Sequence, residues 1–207
     1  MSEPARDGTI RQIIEDHGPT LLQVAAASIS CGFTEGKPLA VDKTNVVPEL
    51  AADGACFVTL KQAGRLRGCV GSPRAHRPLI DDVAVNAFAA AFGDRRFPEL
   101  KLAERQDLDL SVTVLAPPQP IVFKDEAALC AELRPHIDGL IIECEGRSAL
   151  FLPQVWDILP APPLFLAELK GKAGLNPQQW HSALKAWRFV AECISSEMLE
   201  RPQALWA

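Results

Sequence analysis

The chain has 207 residues, 48% of them hydrophobic and 23% charged, with a formal net charge of −5. That balance suits one ordinary domain, or two small lobes sharing a core, able to fold without disulfides or a structural metal. Lys and Arg are scattered, which argues against the basic face of a nucleic-acid protein. The opening M-S-E-P-A-R-D-G lacks the apolar run of a signal peptide. No stretch reaches the roughly 18 apolar residues of a spanning helix, so a cytoplasmic protein with no membrane partner is expected.

In chain order, residues 8–32 read as helical, with Leu21, Leu22, Ala25, Ala26 and Ile29 on one apolar face. Gly18-Pro19 predicts a break, giving a short first helix and a second from Pro19. Residues 37–53 read as loop. A-C-F-V-T-L-K and R-L-R-G-C-V-G then form a hairpin around Q-A-G, where Gly64 can take a positive φ. Strict alternation puts Leu66 and Val70 on one face and Arg65, Arg67 and Cys69 on the other.

The spacing predicts a helix over 78–93, opened by Pro78 and carrying Asp81 and Asp82 at its positive end. G-D-R-R-F-P-E-L closes it. D-L-D-L-S-V-T-V-L alternates as a strand and stops at A-P-P-Q-P. A helix at 125–133 and strands at 139–144 and 147–152 follow. Residues 153–186 read as helical turns punctuated by Pro and Gly, and W-R-F-V-A-E-C-I as a last strand. Strands and helices do not alternate strictly, so the fold class is α+β.

The six cysteines at 31, 56, 69, 130, 144 and 193 show no C-x-x-C spacing, and the histidines are dispersed. No metal or cofactor is required by the sequence. Cys69 has two readings. It can be a nucleophile whose thiolate is favoured by Arg67, or a small residue packed where Gly68 and Gly71 leave the backbone bare. The lack of a neighbouring histidine favours packing or passive lining. Arg67 can hold an anion with its fixed fork of donors, or pair with a carboxylate of the chain. Glu143 and Glu145 share a strand face but precede a turn and should meet water.

Taken together, F-V-T-L with L-R-G-C-V-G, D-V-A-V-N-A-F-A-A-A-F, D-R-R-F-P-E-L, L-S-V-T-V-L-A-P-P, D-G-L-I-I, F-L-P-Q-V-W and K-A-G-L before Trp180 form an ordered set. In order and spacing it resembles the AMMECR domain family, named in bacteria AmmeMemoRadiSam system protein A. The resemblance spans residues 18–197, leaving 1–17 as a partly helical N-terminal segment and 198–207 as a tail. It implies a two-lobed single domain with a mainly antiparallel sheet flanked by helices, and a cleft near L-R-G-C. It also implies association with a Memo-like protein and a radical SAM protein. Arg95 and Glu99 stand where proline is common in the family, and His136 where glycine is common.

The expected site therefore has Cys69 as possible nucleophile and Arg67 as anion binder or thiolate activator. Gly68, Gly71, Ser72, Arg96, Gln154 and Lys172 would line the cleft. The bland alternatives are a helix-ending loop for Arg96, a helix start burying Trp156 beside Gln154, and a helix-end cap for Lys172. Two functions stand: an accessory component that binds a substrate or partner peptide at L-R-G-C-V-G, with or without chemistry at Cys69, and a non-catalytic scaffold. A nucleic-acid-associated factor is the weaker third.

Overall fold

The computed structural model describes residues 4–206. The chain forms two compact units, one built from the chain up to Leu115 together with the segment from Glu192, the other from Ala116–Ala191.

The first unit opens with the 32-residue helix α1 (Pro4–Glu35), followed by α2 (Pro48–Ala51), β1 (Asp53–Gln62), β2 (Arg65–Gly71) and β3 (Arg77–Pro78). Helix α3 (Leu79–Phe92) and strand β4 (Leu108–Leu115) complete it, with β9 (Ala191–Ser195) returning at the end. The sheet runs β2-β1-β4-β9, with β3 on the end of β1. α1 and α3 cover one of its faces. Leu22, Ala26 and Ile29 of α1, Val83 and Ala87 of α3, and Val58, Leu60 and Val112 of the strands are fully buried there. The alanines of α3 allow close approach, and the Ser28 hydroxyl donates to Ala84 O at 2.6 Å across the helix pair.

α1 does not break at Pro19. A proline inside a helix removes one hydrogen bond and costs about 3 kcal/mol. Here the buried residues downstream outweigh that cost, and Gly18 packs closely on Ile194, whose side chain would lie 3.2 Å from a Cβ at that position. The helix passes through position 18 without interruption, and the last described residue, Trp206, is buried and held by Arg105, which donates to its carbonyl at 2.9 Å. Residues 37–53 are also not all loop, since they contain α2 and the start of β1.

The second unit contains β5 (Gln119–Ile121), α4 (Glu126–Glu132), β6 (Gly139–Cys144), β7 (Arg147–Phe151), α5 (Pro162–Lys172) and β8 (Lys185–Phe189). Its sheet order is β5-β8-β6-β7, every pair antiparallel. The core joins Leu140 and Ile142 to Leu166 and Leu169, with Trp156 stacked on Phe165 at 3.7 Å between ring centroids. The Trp156 indole N–H donates to Asp138 O at 2.7 Å, which satisfies its polar atom.

The α+β class holds, but the strands form two antiparallel sheets rather than one. The chain leaves the first sheet at A-P-P-Q-P, where proline cannot donate to a ladder. W-R-F-V-A-E-C-I, expected as a single strand, is interrupted at Val190 and contributes β8 to one sheet and β9 to the other. Residues 176–184 form turns rather than a helix, with Asn176 Oδ1 accepting from Gln178 N at 3.0 Å. No helix among the described residues is long and apolar enough to cross a membrane.

Candidate functional site

β2 is the outer strand of its sheet, so the segment L-R-G-C-V-G lies along an edge. Ala63 and Gly64, both at positive φ, turn the chain from β1 into it. Its register against β1 slips once: Leu66 faces Lys61, but Gly68 faces Leu60, which leaves Arg67 as the extra residue of a bulge. Strict alternation therefore fails. Leu66 is 43% exposed beside Lys61, whereas Val70 lies opposite the buried Val58, so the two are not on one face.

The bulge sends Arg67 toward the chain that follows α3. Its Nε and Nη2 donate to the two carboxylate oxygens of Glu104 at 2.8 and 3.2 Å. Nη1 donates to Pro98 O at 2.9 Å, and Nη2 also donates to Glu99 O at 3.2 Å. The Arg67 side chain is only 11% exposed. Glu104 is held below the usual carboxylate range, first by Arg67, and its other donor is Lys101 N at 2.9 Å. This fork is occupied within the chain.

Cys69 is held by side chains on the open side of the strand. Asp94 Oδ2 accepts its N–H at 2.9 Å, and Arg96 Nη2 donates to its carbonyl at 3.0 Å. Arg96 in turn donates to both oxygens of Asp94, at 2.9 and 2.7 Å. The pair presents one acceptor and one donor where a neighbouring strand would, and so blunts the edge. Asp94 sits well below the ordinary carboxylate range, first because of Arg96 and despite its burial. The partly exposed thiol accepts from the Thr59 hydroxyl at 3.3 Å and lies within reach of Arg96, whose own pKa rises first through Asp94 and in smaller part through Cys69. The cation beside the thiol is thus Arg96, not Arg67.

The glycines serve packing. A Cβ on Gly68 would lie 2.1 Å from Ala90 O of α3, and one on Gly71 would lie 2.3 Å from the Phe57 ring. Ser72 is buried and donates to Asp82 Oδ1 at 2.7 Å. Asp82, fully buried on α3, also accepts from Cys56 N at 3.1 Å and Asn86 Nδ2 at 2.9 Å, and pairs with Arg77 at 3.3 Å. Burial, then Asp82, pushes the Cys56 thiol well above its ordinary range. The sequence reading missed this network. Its signal is two polar residues at i and i+4, Asp82 and Asn86, on a helix face that is otherwise apolar.

Gln154 and Lys172 belong to the second unit. Gln154 is exposed, in a short 3-10 turn (Pro153–Asp157). Lys172 ends α5, donates to Leu150 O of the edge strand β7 at 2.9 Å, and lies over the Phe151 ring at 5.1 Å. His136 has φ 65°, in the left-handed region that glycine adopts most readily. Among the described residues, no group of three or more His, Cys, Asp or Glu could hold a metal ion.

The sequence profile of the AMMECR1 family matches residues 22–194. The chain belongs to the AMMECR1 family. A protein from Methanothermobacter thermautotrophicus is 36% identical over 189 residues, covering 88% of this chain and 95% of that one. Protein PH0010 from Pyrococcus horikoshii is 34% identical over 202 residues, covering 92% and 95%. The crystal structure titled as that uncharacterized protein superposes with a TM-score of 0.80, covering 86% of this AMMECR1-family chain and 90% of the other.

Proposed function

We propose that this AMMECR1-family protein is a non-catalytic binding component that works with a Memo-like and a radical SAM protein. In this reading metal and iron–sulfur chemistry belongs to those partners, and the L-R-G-C-V-G segment is the rigid part of the scaffold. The two partners rest on the family resemblance alone, and one observation carries the non-catalytic part. The three cations expected to meet a ligand each donate to a backbone carbonyl of the chain: Arg67 to Pro98 and Glu99, Arg96 to Cys69, and Lys172 to Leu150. The partners of the Cys69 thiol, Thr59 and Arg96, are not bases that could take its proton.

A second reading rests on the same thiol. Cys69 is partly exposed, with the Arg96 guanidinium, itself paired to Asp94, close to its sulfur. Affinity capture of the two proposed partners with wild type, Cys69→Ser and Cys69→Ala separates the readings. The binding component retains both partners in all three forms. Failure to retain either partner at micromolar concentration contradicts the proposal. Loss of function with an unchanged melting temperature in the cysteine variants favours the reactive thiol.

A further inference from the structure

The segment that follows β9 is held at its two ends and loose between them. At the near end Ser196, buried in a short 3-10 turn (Ser196–Met198), accepts the N–H of Leu110 in β4 at 3.0 Å. At the far end a second such turn (Pro202–Trp206) buries the Trp206 side chain and lies against α1. Glu200, Arg201, Gln203 and Ala204 between these ends are exposed. A cavity of about 280 Å³ opens between residues 199–205 and Pro19 and Gln23 of α1. The segment is thus a strap with one aromatic anchor, and few buried contacts resist its lifting.

The anchor reaches further than the strap. Arg105 Nη2 donates to Trp206 O at 2.9 Å, and its Nη1 donates to Ser30 Oγ of α1 at 3.4 Å. Arg105 stands in the 3-10 turn Leu102–Asp107, against which the Trp206 turn also packs. Leu100 and Leu108 are buried on either side of this turn, but none of its own six residues is. Between those two leucines its position is therefore set by side-chain bonds. On one side is the Arg105 fork. On the other, from the adjacent residue, the Glu104 carboxylate accepts from Arg67 at 2.8 and 3.2 Å. Neighbouring residues of one turn thus serve Trp206 and the arginine of L-R-G-C-V-G.

We infer that Trp206 is a latch on the L-R-G-C-V-G edge. Seated, it fixes the turn at 102–107 so that Glu104 clamps Arg67. Released, it frees that turn and loosens Arg67 and β2. Whatever draws the strap off α1 softens the edge, and by reciprocity a weakened Arg67–Glu104 clamp loosens the strap. The latch goes beyond the binding-component reading, which needs no movement of the chain.

The test is hydrogen–deuterium exchange read by mass spectrometry on the full chain, for wild type, Trp206→Ala and Arg105→Gln. Each variant should speed exchange in residues 65–71 and 100–107 by about tenfold, the effect on local opening of losing one charge-assisted bond. Residues 79–92 of α3 and 139–144 of β6 should stay at wild-type rates. The two changes combined should add little to either alone, as expected of one linked device. An amidated peptide of residues 199–206, added in excess to Trp206→Ala, should restore protection, and the same peptide with alanine in place of its tryptophan should not. Arg67→Lys should speed exchange in residues 199–206. Unchanged exchange at 65–71 in either single variant overturns the inference. So does a rise spread evenly through β1, α3 and β4, which marks a general loss of stability. Exchange is read on the chain alone, so its failure leaves partner capture standing, and failed capture leaves the latch standing.

Discussion

Replacing Arg67 with alanine should cost stability rather than ligand affinity. The guanidinium makes two charge-assisted bonds to Glu104 and two bonds to the carbonyls of Pro98 and Glu99, with its side chain 11% exposed and that of Glu104 21% exposed. Removing one partner of a fully buried pair costs about 3–5 kcal/mol, because the other charge stays buried and unpaired. Residual water contact at Glu104, and carbonyls on exposed residues, lower that to about 2–3 kcal/mol. For a chain of this size each kcal/mol moves the melting temperature by about 2–4 °C, so a fall of about 4–12 °C is expected in a circular dichroism melt. Arg67→Lys keeps the charge without the fork and should recover less than half of the loss. A variant within about 0.5 kcal/mol of wild type that nevertheless fails to retain its partners would refute the structural role, since only a bound ligand would then explain the arginine.

Three further outcomes are expected. Gly68→Ala forces α3 away from β2, because the new methyl would meet Ala90 O at 2.1 Å, and should destabilise by about 3 kcal/mol or more in urea unfolding. Asp94 has a depressed folded-state pKa, so its contribution is fully present above the ordinary carboxylate value, about 4, and is lost as pH falls toward the folded value. Melting temperature should therefore fall less steeply below about pH 4 in Asp94→Asn than in wild type, and parallel curves would contradict the Asp94–Arg96 clamp. Iodoacetamide followed by peptide mass spectrometry should label the partly exposed Cys69 before the buried Cys56 and Cys144, and the reverse order would contradict the exposure of the thiol.

The sequence could be read where local signals act alone. Pro78 and apolar residues at i and i+4 predict a helix over 78–93, and α3 runs Leu79–Phe92. The strand expected at 139–144 is β6 itself. Pro19 misled because α1 is held together by burial against other elements, which no local window contains. The bulge at Arg67 was hidden for a similar reason: it exists only in the register of β2 against β1. The functional look of Arg67 and Lys172 came from neighbouring glycines, and that of Arg96 from the paired arginines of D-R-R-F-P. Their partners, Glu104, Asp94 with Cys69, and Leu150, are settled by folding, and two of the three arrangements cover the open side of an edge strand. Ser72, expected to line a cleft, is instead buried as a donor to Asp82, which sequence alone assigned to the helix dipole.

Side-by-side capture of the two proposed partners, a Memo-like and a radical SAM protein, by wild type and Cys69→Ser weighs scaffold against chemistry in a single comparison. Equal retention of both partners, with matched melting temperatures and unimpaired function of the assembled system, is the predicted result. A folded Cys69→Ser protein that retains its partners but leaves the system inactive would contradict it, and would place the chemistry on the thiol.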